Sequence, residues 1–221
     1  MAGYSATLSR VEDYFDLSAT RVWERLTSDA PVSRIRQTVR EGRDRMRALM
    51  LSRLPADLSG SRVLDAGCGA GQMTADLAAR GAEVMAVDIS PALVNIAKAR
   101  LPAEHAGRVT FASGDMTSDH GTFDYVVAMD SLIYYDTADI TQALSRLGAR
   151  TSGAVVFTVA PRTPFLMAFW TLGRAFPRAD RSPVMVPHAH ATLTRETGGK
   201  VTRIDRISRG FYISECLEYR P

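Results

Sequence analysis

The sequence predicts an α/β protein: one mostly parallel, seven-stranded sheet with helices on both faces, an N-terminal helical cap and an insertion after the fifth strand. Three observations carry that reading. From residue 62 onward, short apolar runs alternate with segments of helical spacing, the pattern of parallel strands joined by crossover helices. The first of these runs passes into a turn, RVLDAGCGAGQ at 62–72, from which side chains have almost been removed. The last two runs, KVTRIDRISRG and FYISECLEYR, read as a closing hairpin.

The elements follow in order. Residues 5–54 are polar with apolar positions at helical spacing, among them Val11, Tyr14, Ile35, Val39, Met46 and Met50. Ser33 marks a helix start there and Pro55 a stop. RVLDAG, EVMAVD, VTFASGD, FDYVVAMD and GAVVFTVA are the first five strands. QMTADLAARG is a helix closed by Gly81, and SPALVNIAKARLP opens with Ser90 as N-cap and Pro91 at the first helical position. TADITQALSRLGA is the next helix. After residue 160 the pattern breaks into a stretch rich in proline, arginine and aromatics, then HATLTRETGG resumes a helix. The chain thus divides into a cap at 1–54 and a core at 55–221 whose insertion covers about 161–190.

Composition narrows the classes of function. The 221 residues are 46% hydrophobic and 23% charged, with net charge +3 and a pI near 9.1. That balance suits an anionic substrate or an acidic surface and argues against a nucleic-acid partner. Two cysteines, Cys68 and Cys216, form no CxxC pair, so neither a disulfide framework nor a structural metal site is expected. The N-terminus lacks the pattern of a signal peptide, and no run is long enough to span a bilayer. A cytoplasmic protein is expected, with a peripheral place on the cytoplasmic face of a membrane as the variant.

A strand–turn–helix with Gly67, Gly69 and Gly71 brings free backbone N–H groups to one point. The dinucleotide fingerprint fails, because its last small residue is Gln72. Asp65, just ahead of the turn, would repel a pyrophosphate and attract an ammonium or sulfonium group. Asp88 ends the second strand, where an acid commonly takes two ribose hydroxyls. Asp115 is set to accept from an adenine amino group, with Met116 packing on the ring, and Asp130 ends the fourth strand. The competing reading is that such acids cap the helices that follow.

Together VLDAGCGAG, VDIS, SGDM and FDYVVAMDSLIYY resemble the class I S-adenosylmethionine-dependent methyltransferases over about residues 55–160. The resemblance implies a Rossmann-like fold and S-adenosylmethionine as methyl donor, with S-adenosylhomocysteine as product. It implies a cofactor site of Asp65, Gly67, Gly69, Gly71, Asp88, Ile89, Asp115, Met116 and Asp130.

The flanks go further. DYFDLSATRVWERL at 13–26, VREGRDRM at 39–46 and PRTPFLMAFWTLGRAFPRADRSPV at 161–184 are similar to the magnesium-protoporphyrin IX O-methyltransferases of (bacterio)chlorophyll synthesis. That resemblance implies methyl transfer to a porphyrin propionate. It implies reactive-centre roles for Tyr14 and Tyr134, a reach of Arg43 to the cofactor carboxylate, and a porphyrin wall of Phe15, Arg21, Phe165, Phe169 and Trp170. The family pattern has histidine where this chain has Tyr134. His188 and His190 read either as surface residues or as a ligand to the porphyrin magnesium. The segment 163–176 is a lid, a membrane contact, or a contact for the porphyrin-binding subunit of magnesium chelatase. A methyltransferase for another small acceptor, such as a quinone precursor, and a non-catalytic cofactor-binding regulatory subunit are the alternatives.

Overall fold

Residues 3–14, 33–164, 166–167 and 185–221 are described by a computed structural model. Among the described residues eight strands make one sheet: β1 (Arg62–Ala66), β2 (Glu83–Asp88), β3 (Val109–Ser113), β4 (Phe123–Ala128), β5 (Thr151–Pro161), β6 (Pro187–His188), β7 (Val201–Arg209) and β8 (Tyr212–Tyr219). The order is β3-β2-β1-β4-β5-β8-β7, and β6 pairs with β5 off that path. Strands β1 to β5 pair in parallel, while β8 runs antiparallel to both β5 and β7.

All seven expected strands are present. The eighth, β6, falls inside the stretch read as an insertion. It is two residues long and pairs Pro187 and His188 with Ala160 and Pro161. Two residues carry no periodicity, so no pattern in the sequence announces such a strand.

The period-two alternation of the strands sorts the core onto two faces. Leu64, Val126, Val155 and Phe157 face one side, under α5 (Thr137–Gly148) with its Ile140, Leu144 and Leu147. Val63, Val84, Val127 and Val156 face the other, against α2 (Arg34–Leu51) and α3 (Gln72–Ala79) through Met46, Met50, Met73 and Leu77. Ile35 departs from the expected apolar face of α2. It lies in the first turn, before the helix meets the sheet, and is 57% exposed.

The caps form as their chemistry dictates. Ser33 accepts from the Arg36 N–H, and Ser90 accepts from the Leu93 N–H at the start of α4 (Pro91–Arg100). The Gly81 N–H closes on the Ala78 carbonyl with φ at +92°. α1 (Tyr4–Tyr14) packs across the carboxyl ends of the strands, and α6 (His190–Glu196) precedes the closing hairpin. β1 sits between β2 and β4, so the chain's connections diverge there and open a crevice at the strand ends.

Candidate active site

A cavity with about 980 Å³ of free space, its open mouth included, occupies that crevice. It is lined by Arg43, Asp65, Gly67, Gly69, Asp88, Ile89, Met116, Asp130 and Tyr134 of the expected site residues, and by Leu8 and Val11 of α1. The strand ends of β1, β2 and β4 therefore deliver three carboxylates to one space. Tyr14, Gly71 and Asp115 stand just outside the lining. Phe15, Arg21, Phe165, Phe169 and Trp170 lie outside the described residues.

The three glycines of the turn do different work. A Cβ on Gly67 would lie 2.4 Å from the Ser131 Cβ, and one on Gly71 would lie 2.8 Å from the Ala97 Cβ. Those two glycines are required by close packing of the protein on itself. Gly71 is the N-cap of α3, packed on α4 with φ at +85°. Gly69 alone of the three faces open space. Its N–H donates to Asp88 Oδ2 at 2.8 Å, while the Ser90 N–H donates to Oδ1 at 2.9 Å. Asp88 thus holds the turn in place with both carboxylate oxygens turned to the strand end.

Asp65 is fully enclosed and accepts the Thr74 hydroxyl at 2.6 Å. Burial raises its pKa to about 7, and the Asp88 charge adds to the effect. Cys68 is buried in the turn, and burial pushes its thiol up, away from the thiolate form. Asp115 is tied down by the Thr117 N–H at 2.8 Å and by the Tyr4 hydroxyl at 2.6 Å. Tyr4 also stacks on Tyr135 at 5.0 Å, which fastens α1 over the adenine end expected from the sequence.

At the other end, Asp130 adopts φ +56°. Its carboxylate pairs with Arg43 and accepts the Tyr212 hydroxyl at 3.0 Å, and its N–H donates to Thr158 Oγ1 at 2.7 Å. Tyr134 packs in the same cluster as Tyr14, Val11 and Leu93, and burial raises its phenol well above the ordinary range. Ser131 lines the cavity with its Oγ buried and without a hydrogen-bond partner among the described residues. Sequence reasoning missed Tyr212, Thr158 and Ser131. Ser131 stood within the quoted fourth-strand motif and Tyr212 within the quoted closing run FYISECLEYR, neither with a role; Thr158 comes from β5, where no local pattern marks it.

His188 is neither a surface residue nor open to a metal. It is 4% exposed, with its ring nitrogens 3.0 Å from the Tyr135 carbonyl oxygen and 3.3 Å from Thr137 Oγ1. Burial lowers its pKa. His190 is half-exposed and faces Glu215 at 3.6 Å. Among the described residues no group of three or more metal-ligating side chains assembles, and no helix is long and apolar enough to cross a membrane.

The site fits S-adenosylmethionine on its own geometry. Gly69 leaves room against the backbone, Asp88 offers acceptors for a diol, the Arg43–Asp130 pair matches a zwitterion, and Asp65 lines the same cavity, where a cationic sulfur would meet it. Residues 63–151 match the family described as methyltransferase domain, and residues 128–221 match magnesium-protoporphyrin IX methyltransferase C-terminus. The magnesium-protoporphyrin O-methyltransferase of Rhodobacter capsulatus is 64% identical over 99% of this chain and 98% of its own.

The chain belongs to the magnesium-protoporphyrin O-methyltransferase family.

The magnesium protoporphyrin IX methyltransferase of Synechocystis PCC 6803, solved with bound SAH, superposes with a TM-score of 0.81 at 28% identity. That match covers 96% of this chain and 99% of the other, and the same protein was also solved with bound SAM. This family thus binds S-adenosylmethionine, as the cavity indicates. The ubiquinone biosynthesis O-methyltransferase of Alkalilimnicola ehrlichii is 30% identical over 73% of this chain, but the match covers only 64% of that protein. Similarity to the quinone enzymes is thus partial, whereas similarity to the porphyrin family is end to end.

Proposed function

We propose that this chain transfers the methyl group of S-adenosylmethionine to a propionate carboxylate of magnesium-protoporphyrin IX in (bacterio)chlorophyll biosynthesis. The products are the monomethyl ester and S-adenosylhomocysteine. The observation that carries the reading is whole-length identity of 64% to the Rhodobacter capsulatus enzyme.

The residues account for such chemistry. S-adenosylmethionine supplies, when bound, a methyl group on a positively charged sulfur. Asp88 would hold its ribose, Asp115 and Met116 its adenine, and Arg43 with Asp130 its amino-acid end. An acceptor carboxylate is ionised near neutrality, so the chain needs no general base. Its task is to orient that carboxylate in line with the methyl group and to exclude water. Tyr134, kept neutral by burial, serves as a hydrogen-bond donor to the propionate, and Tyr14 closes over it from the cap. The cap at 1–54 is the lid, with 55–221 the catalytic core. The segment 163–176 contacts the chelatase subunit that delivers the porphyrin, or the cytoplasmic face of the membrane where the enzyme is peripheral.

The test is an assay with S-adenosylmethionine and magnesium-protoporphyrin IX, following the monomethyl ester by chromatography. Robust ester formation, with far less product on a quinone precursor, is expected. Donor binding without ester would overturn the acceptor and favour a regulatory role.

A further inference from the structure

We infer that Tyr212 is a positioning residue for the methyl donor: its hydroxyl sets the Asp130 carboxylate, and through it Arg43, at the cavity end that meets the donor's amino-acid part. The inference rests on the donor site proposed above and adds a residue that lies outside it.

Tyr212 is the first residue of β8, 82 positions from Asp130 in sequence. Its ring is wedged against α2. A Cβ on Gly42 would stand 2.6 Å from the ring's Cδ1, so only glycine fits one residue before Arg43. From there the hydroxyl reaches both carboxylate oxygens, at 3.0 Å and 3.3 Å. Thr158 on β5 holds the Asp130 N–H at 2.7 Å and donates to Oδ1 at 3.2 Å. Arg43 closes the third side.

Asp130 is therefore held from α2, β5 and β8 at once, in a left-handed backbone conformation that non-glycine residues seldom adopt. Asp130 and Arg43 line the cavity, whereas Tyr212 stands behind them and is 8% exposed. Tyr212 acts through its neighbours and does not touch the ligand. A fixed carboxylate beside a fixed guanidinium presents a negative and a positive site at constant spacing. A zwitterionic amino-acid group matches that pair, its ammonium on Asp130 and its carboxylate on Arg43. Loss of the hydroxyl leaves the same charges with freedom to turn, and binding then carries the cost of ordering them.

The test is calorimetric titration of S-adenosylhomocysteine into the wild type, Tyr212→Phe, Asp130→Asn and the double variant, with thermal melts and steady-state kinetics beside it. Tyr212→Phe keeps the ring against Gly42 and removes one oxygen. Its affinity for S-adenosylhomocysteine is expected to fall roughly fivefold to tenfold, the effect of one hydrogen bond. The KM for S-adenosylmethionine should rise by a similar factor while kcat and the KM for the porphyrin stay within about twofold of wild type, because the hydroxyl acts on donor binding alone. In the Asp130→Asn background the same substitution should add little, because the two act as one unit. Unchanged affinity in a folded Tyr212→Phe protein would overturn the inference, as would a fully additive loss in the double variant. A wild type that fails to bind S-adenosylhomocysteine would sink the donor site itself, a different result from either.

Discussion

The two ends of the cavity are built in opposite ways. At the glycine turn, the partners are close in sequence: Asp88 holds the Gly69 N–H across 19 positions and the Ser90 N–H across two. At the Asp130 end, Arg43 and Tyr212 stand 87 and 82 positions away and arrive on a helix and a strand from opposite ends of the chain. The first end is a local motif carried by one β-α-β unit. The second exists only once α2 has packed on the closing hairpin. A local motif tolerates drift elsewhere in the fold, whereas the distant cluster reports on the packing of the whole sheet.

Substitutions at the local end should break this contrast most sharply. Asp88→Ala removes two anchors of the turn and two acceptors for the donor's ribose. The loss of S-adenosylhomocysteine affinity should amount to roughly 3–6 kcal/mol, since bonds to a charged group contribute more than neutral ones. Calorimetric titration measures it, and an affinity within tenfold of wild type would mean that Asp88 holds the turn without meeting the ligand.

Asp65→Asn tests the buried acid through pH. Burial keeps Asp65 at about 7 in the folded chain, against 3.8 for an unperturbed aspartate. The folded state then binds that proton more tightly than the unfolded one. The contribution of Asp65 to stability is greatest below about pH 4 and is lost as pH rises to about 7. Asparagine removes the titration, so Asp65→Asn should be more stable than wild type near pH 8, by roughly 2–4 kcal/mol from a shift of about three units. The advantage should vanish near pH 4. Melts at both pH values decide it, and an equal effect at each would remove burial of the charge as the cause.

The glycines give the finest distinction. Gly71→Ala should destabilise the fold by roughly 1–3 kcal/mol, because the new methyl group meets Ala97 in a left-handed backbone. Gly69→Ala meets nothing in the protein and should cost less stability but more donor affinity. Denaturant melts paired with titrations separate the two. Equal stability losses would show that the turn's glycines are interchangeable.

Much of this protein is legible in one dimension. Alternating apolar runs delivered seven strands at their places, because strand period and crossover length are local properties. Ser33, Ser90 and Gly81 marked helix ends through bonds reaching three residues or fewer. Asp65, Gly69 and Asp88 share one strand–turn–helix–strand unit, and their spacing alone brings them to one crevice. The two-residue β6 and the burial of His188 between Tyr135 and Thr137 depend on pairing over tens of residues. Tyr212 is the clearest case: in the sequence it is one aromatic in a strand that would satisfy any core. Only the folded sheet, by putting β8 beside β5 and beneath α2, points its hydroxyl at Asp130. Hydrogen-bond chemistry and side-chain period act over a few residues and can be read along the chain. Convergence of distant segments is set by packing of the whole core, so the tertiary structure alone decided it.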